Sequence, residues 1–154
     1  MCKTNRVTDV DKLVTGLLTA SRVLVGVSAR SLAEVEDTVT VTQFRTLVVL
    51  DTHGEVNLNR LAELLGVTAS TAMRMVDKLI AAELVTRQSN PSNRREVQLD
   101  LTPAGRSLVR KVTDKRRAEI GRIVGAMPAT KRDGLVAALQ AFADAAGEPP
   151  PPDW

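Results

Sequence analysis

Apolar residues near the start of the chain recur three and four apart. Val10, Leu13, Val14, Leu17, Leu18, Leu24, Val25, Leu32 and Val35 set this pattern over 9–36, with no Pro and no Gly pair to interrupt it. The spacing predicts a helix roughly 25 residues long, with more apolar surface than one thin stripe needs. A core helix reads this way, and so does a helix shared with a second subunit. A second helix is expected from Thr40 to Asp51, with Phe44, Leu47, Val48 and Leu50 facing inward and Thr40 or Thr42 as its cap. Thr52-His53-Gly54 ends it, with Gly54 expected in the left-handed conformation. Glu55-Val56-Asn57 reads as a short extended piece.

The next segment is more specific. Asn57 caps a short helix over Leu58 to Leu65, whose apolar set is Leu61, Ala62, Leu64 and Leu65, and Gly66 stops it. Val67 turns inward and Thr68 caps a further helix from Ala69 to Ala82. Two helices joined by a short turn containing Gly form a helix-turn-helix. The period then changes to two. Leu84-Val85-Thr86-Arg87 and the alternation Val97, Leu99, Leu101 predict two strands, and Gln88 to Glu96, rich in Ser, Asn and Pro, reads as a long loop at the tip of a β-hairpin. Thr102-Pro103 starts a helix that runs to about Gly125 through Leu108, Val109, Val112, Ile120 and Val124. Met127-Pro128 breaks the chain, and one last helix is expected from Thr130 to Ala145, with Leu135, Ala138, Leu139 and Phe142 on one face. Residues 147–154 form a Pro-rich tail.

Composition narrows the class. The chain of 154 residues suits one domain with a sizeable core. Aromatics make up 2% and Tyr is absent, so Leu, Val, Ala and Ile must build that core, which favours helices over a large sheet. The net charge of +3 permits a nucleic-acid partner and leaves its place to local pattern. A single cysteine, Cys2, excludes an internal disulfide framework and a cysteine metal cluster. No window approaches 18 consecutive apolar residues and no secretion signal stands at the N-terminus, so the expectation is a cytoplasmic protein with no membrane role.

The helix beginning Ala69-Ser70-Thr71-Ala72-Met73-Arg74 raises the question of a binding face. With Ala72 at the centre of the inner face, Val76, Leu79 and Ile80 join it and Arg74 lies opposite, flanked by Ser70, Thr71, Asp77 and Lys78. Many amphipathic helices show only a solvated outer face. Solvated faces favour long residues of high helix propensity, however, whereas this one starts with small hydroxyls. Small residues allow close approach, helix N-termini favour phosphate, and an arginine can bond a guanine edge bidentately. The hairpin adds Arg94 and Arg95, with Asn90 and Asn93 able to hold tight turns. A basic hairpin directly after a helix-turn-helix makes a winged helix, whose wing can place an arginine in the minor groove.

These residues in this order resemble the multiple-antibiotic-resistance regulator (MarR) family. The likeness runs from Thr42-Gln43-Phe44 through Leu61-Ala62-Glu63-Leu64-Leu65-Gly66-Val67, Ser70-Thr71, Arg74-Met75-Val76-Asp77-Lys78-Leu79 and Glu83-Leu84-Val85-Thr86-Arg87 to Arg95, Leu99 and Leu101-Thr102-Pro103-Ala104-Gly105. It implies a mainly α fold with a small β-hairpin wing, in one domain over 1–146: a winged helix-turn-helix lobe over 40–101 and dimerisation helices over 9–36 and 103–146. It implies a homodimer that binds double-stranded DNA at pseudo-palindromic operators, as a repressor relieved by a small-molecule effector or an oxidant. By position, Ser70, Thr71, Met73, Arg74 and Lys78 of the recognition helix would meet DNA, joined by Arg87, Asn93, Arg94 and Arg95 of the wing, with Arg95 as the minor-groove arginine. One departure is plain. The family's wing places acids beside its arginine, where Asn90 and Asn93 stand here, so a salt bridge is lost and the wing is more positive.

Other chemistry is sparse. Cys2 precedes the first helix and has no resolving partner in the chain, so it reads as a terminal thiol, with oxidation between subunits as the weaker alternative. His53 is the sole histidine, which argues against a zinc site. Lys111, Lys115, Arg116 and Arg117 read as a solvated helix face, with phosphates or carboxylates across the dimer as alternative contacts. Glycine-rich nucleotide loops and a Gly-x-Ser-x-Gly elbow are absent from the sequence, so no enzyme, catalytic residue or cofactor is expected. The competing reading is a winged helix that serves as a protein-interaction module without reading DNA.

Overall fold

A computed structural model of the chain describes residues 3–35, 37–90 and 93–148, with the side chains of 3–8, 90 and 93–96 outside that description. The first helix, α1 (Lys3–Leu32), begins earlier than its apolar pattern does and gives way to a 3-10 turn at Ala33–Val35. Four further helices and a small sheet follow in the order the sequence predicts: α2 (Val41–His53), β1 (Val56–Asn57), α3 (Leu58–Leu65), α4 (Ala69–Ala81), β2 (Val85–Asn90), β3 (Asn93–Leu101) and α5 (Pro103–Ala126).

Side-chain caps set the starts of these helices. Thr40 and Gln43 form a reciprocal capping box at α2. Asn57 accepts from the Arg60 amide at α3, Thr68 from the Thr71 amide at α4, and Thr102 from the Gly105 amide at α5, where Pro103 takes the first position. Gly66 closes α3 in the left-handed conformation, at φ 67° and ψ 36°. Gly54 closes α2 with a positive φ of 69° but a ψ of −148°, which is not left-handed helical. That correction follows from the strand next to it: the chain must extend at once into Val56, which pairs with Leu99.

The sheet is antiparallel in the order β1-β3-β2, with Val85 opposite Leu101 and Arg87 opposite Leu99. Pairing runs to Asn90 opposite Asn93, so the expected long loop over Gln88 to Glu96 is corrected to a ladder that extends almost to the turn. Ladder hydrogen bonds hold residue types that favour loops when they are read one at a time. The register slips between Ser89 and Asn90: Ser89 faces Val97 while Asn90 faces Asn93, leaving 94–96 without partners directly opposite. The single last helix is also corrected. It divides into α6 (Ala129–Arg132) and α7 (Leu135–Ala146), because Gly134 takes φ 77° and cannot continue the helix.

One core joins these elements. Leu47 and Leu50 of α2, Leu61 of α3, Val76 and Leu79 of α4, Leu99 of β3, and Val109 and Val112 of α5 are buried together. The core leaves apolar side chains of the first and last described helices uncovered. Leu13 of α1 is 67% exposed, Val136 and Phe142 of α7 are 67% and 55% exposed, and Val10, Val14, Leu17 and Leu18 are open as well. Among the described residues, Asp9–Val35 is long and apolar enough to cross a membrane by length and composition alone, which departs from the expectation of no such window. Its Thr15, Thr19, Ser21 and Ser28 hydroxyls fold back onto carbonyls three and four residues earlier, so they add little polarity to the helix surface.

Ion pairs tie α1 and its following turn to α5. Arg30 donates to Glu119, and Lys115 donates to Glu34 with Lys111 nearby at 3.9 Å. The basic run on α5 is therefore a solvated face with two of its lysines, Lys111 and Lys115, beside Glu34. The hydrogen bond and charge of Lys115 lower the Glu34 pKa, and the hydrogen bond from Arg30 lowers that of Glu119.

Candidate nucleic-acid interface

Helices α3 and α4 meet through Gly66-Val67-Thr68. Buried Leu61, Ala62 and Leu65 on one helix, and Ala72, Val76 and Leu79 on the other, fix the face that α4 turns away from the core. That outward face carries the residues singled out from sequence. Ser70, Met73, Arg74 and Lys78 are exposed and Thr71 is half-buried.

The first turn of α4 is a linked set of hydroxyls. Thr68 accepts from the Thr71 amide at 3.3 Å and donates to the Thr71 hydroxyl at 2.9 Å, while the Ser70 hydroxyl lies 3.1 Å from that of Thr68. Because the Thr71 oxygen accepts from the Thr68 hydroxyl, the Thr71 hydroxyl hydrogen is left to donate elsewhere. The remaining N–H groups and helix dipole at this end favour an anion. Arg74 and Lys78 make no ion pair among the described residues, so both charges are available to an external partner.

The wing stands beside this helix. Arg87 of β2 donates to Asp77 of α4 at 2.7 Å, which joins the base of the wing to the outward face of the helix. Sequence reading missed this pairing. Its partners lie ten residues apart on a helix and a strand, so neither periodicity places them together. Asn93, Arg94 and Arg95, named for the wing tip, have side chains outside those described, and Cys2 lies outside the described residues altogether. The strand that carries the three wing residues is placed by its ladder with β2.

Close packing holds the wing to the rest of the lobe. Thr102 donates its amide to the Leu84 carbonyl at 3.0 Å and its hydroxyl to the Glu83 carbonyl at 2.7 Å. A Cβ on Gly105 would stand 2.2 Å from the Leu84 carbonyl oxygen, so that glycine permits the approach of α5 to the turn before the wing.

Helix, glycine turn, outward helix and antiparallel wing thus occur in one lobe, and comparison with known proteins agrees. The MarR family model matches residues 39–97, and the crystal structure of RV1404 from Mycobacterium tuberculosis is 53% identical, with a TM-score of 0.83 over 92% of this chain and 96% of that one. The chain belongs to the MarR family. The MarR family comprises winged-helix, DNA-binding transcriptional regulators. A MarR family protein from Bacillus stearothermophilus shares the fold at 18% identity, with a TM-score of 0.79 over 96% of this chain and 100% of that one. A MepR variant from S. aureus, bound to an oligodeoxyribonucleotide, shares it at 19% identity, with a TM-score of 0.64 over 87% and 97%. No match was found among curated proteins.

Proposed function

We propose that this MarR-family chain acts in the cytoplasm as a homodimeric repressor, binding a pseudo-palindromic operator near the genes it controls and released by a small-molecule ligand. The observation that carries the reading is the outward face of α4: small hydroxyls at its N-terminus, followed by the exposed cations Arg74 and Lys78, which make no ion pair among the described residues. Small groups admit a groove wall, and a free guanidinium can bond a guanine edge. The wing, with Arg94 and Arg95 in its sequence, extends that cationic face toward the minor groove. The DNA-bound MepR variant supports the same use of the fold.

Residues 9–36 and 103–146 are assigned to dimerisation and 40–101 to DNA binding. Apolar side chains on α1 and α7 that the core leaves open support this assignment, because a second copy would cover them. The same covering accounts for an α1 surface apolar enough to span a membrane. In the dimer the two α4 helices would lie about one helical turn apart, roughly 34–36 Å, to enter successive major grooves. A ligand that prefers a different spacing would shift the dimer away from the DNA-binding form.

Selection of random duplex DNA on the purified protein at about 0.15 M salt tests the proposal. An enriched inverted repeat with half-sites one turn apart is expected. No enrichment, together with a folded dimer in light scattering, would favour a winged helix used for protein contacts.

A further inference from the structure

The DNA-facing side of the lobe is not uniformly polar. Between α4 and the wing lies a groove of about 230 Å³ lined by Leu58, Met73, Arg87, Val97 and Leu99. Arg87 and Leu99 face each other across the ladder, and Val97 lies two residues along β3 on the same side as Leu99. Leu99 is buried and forms the floor, while Met73 and Val97 are each 44% exposed at the rim. Asp77 holds the Arg87 guanidinium to one side, leaving its alkyl stem to the groove.

An apolar groove inside a cationic face restricts what can fill it. Arg74 and Lys78, exposed on the same helix as Met73, select a polyanion, and Met73 belongs to the surface proposed above to meet DNA. Base edges in the major groove offer hydrogen-bond donors and acceptors, and a single alkyl group: the C5-methyl of thymine. We propose that this groove receives the C5-methyl of one thymine in each operator half-site, with Met73 and Val97 as its walls. Met73 is then a specificity residue of different chemistry from Arg74. The arginine selects guanine by hydrogen bonds, and the thioether selects thymine by contact.

The inference rests on the DNA-binding reading, and the test separates the two. The enriched duplex is prepared with each thymine replaced in turn by deoxyuridine, which removes only the methyl group. Binding of the full-length protein is measured for each duplex. One thymine per half-site should lose about fourfold in affinity, the factor expected from burying one methyl-sized group. Met73→Ala should bind the thymine and deoxyuridine duplexes equally, and Met73→Leu should restore the difference. Tight binding with every deoxyuridine position silent would overturn this inference and leave the DNA reading standing, as would unchanged discrimination in Met73→Ala. Failure to bind any duplex specifically would overturn both.

Discussion

Arg87 of the wing and Asp77 of α4 are joined by a hydrogen-bonded ion pair at 2.7 Å, with both side chains about half exposed. An exposed pair of this kind contributes on the order of 0.2–1 kcal/mol to stability, so its main consequence is placement. Asp77 occupies the arginine's charge. Arg87 was read from sequence as a DNA contact, but a cation already neutralised displaces few counterions from phosphate. Arg87→Gln should therefore change the salt dependence of DNA binding much less than Lys78→Ala does. The slope of log K against log salt should fall by about one for Lys78 and by less than half of that for Arg87. Equal changes would show that Arg87 leaves Asp77 for the phosphates.

Arg74 has no such partner among the described residues. Its guanidinium is free to bond a base edge, and its loss removes sequence information along with charge. Arg74→Ala should cost roughly 1–3 kcal/mol of specific binding and relax preference at one position of each half-site, in a panel of single-base operator variants. Arg95→Ala, on the wing, should weaken all operators of that panel more evenly. Similar losses of preference from both substitutions would refute this division of roles.

The turn from α4 into the wing contains a backbone conformation unusual for its residue. Glu83 has φ 58° and is the one non-glycine residue with positive φ among those described. A side chain costs roughly 1–2 kcal/mol there, and glycine avoids that cost while losing about 0.5–1 kcal/mol of entropy. Glu83→Gly should raise stability by up to about 1 kcal/mol in urea unfolding, and Glu83→Val should lower it. Gly105→Ala tests the other side of the same turn. Its Cβ would meet the Leu84 carbonyl oxygen at 2.2 Å, so a loss of roughly 1–3 kcal/mol is expected.

These positions show which parts of the molecule could be read in advance. Caps at Asn57, Thr68 and Thr102 were legible because a cap and the amide that donates to it lie within three residues of each other. The outward face of α4 was legible for a similar reason, since the period of a single helix fixes it. The break at Gly134 was not, because apolar spacing continues on both sides and periodicity carries no record of a positive φ. The wing's length was hidden by Ser89, Asn90 and Asn93, loop-forming residues held here by a partner strand. Least legible were the tertiary ion pairs. Arg30 and Glu119 are 89 residues apart and Glu34 and Lys115 are 81 apart, and helix packing alone brings them together.

Those two pairs link α1 and its adjoining turn to α5, and their pH dependence has a definite sign. Both carboxyls have folded pKa values below their ordinary 4.5, held there first by hydrogen bonds from Lys115 and Arg30. A depressed carboxyl stabilises the folded state above its unfolded pKa, and that contribution disappears as pH falls through the folded value. Wild-type stability should therefore decline as pH drops below about 4.5, and part of that decline belongs to these pairs. A Glu34→Gln, Glu119→Gln double variant should start lower at neutral pH and lose less on acidification, in thermal melts from neutral to acidic buffer. Salt should produce the same convergence, since Arg30 and Lys115 are partly solvent-exposed and screening weakens their attraction. Parallel wild-type and variant curves across the acid range would mean that other carboxylates carry the acid sensitivity, and that apolar packing alone holds α1 on α5.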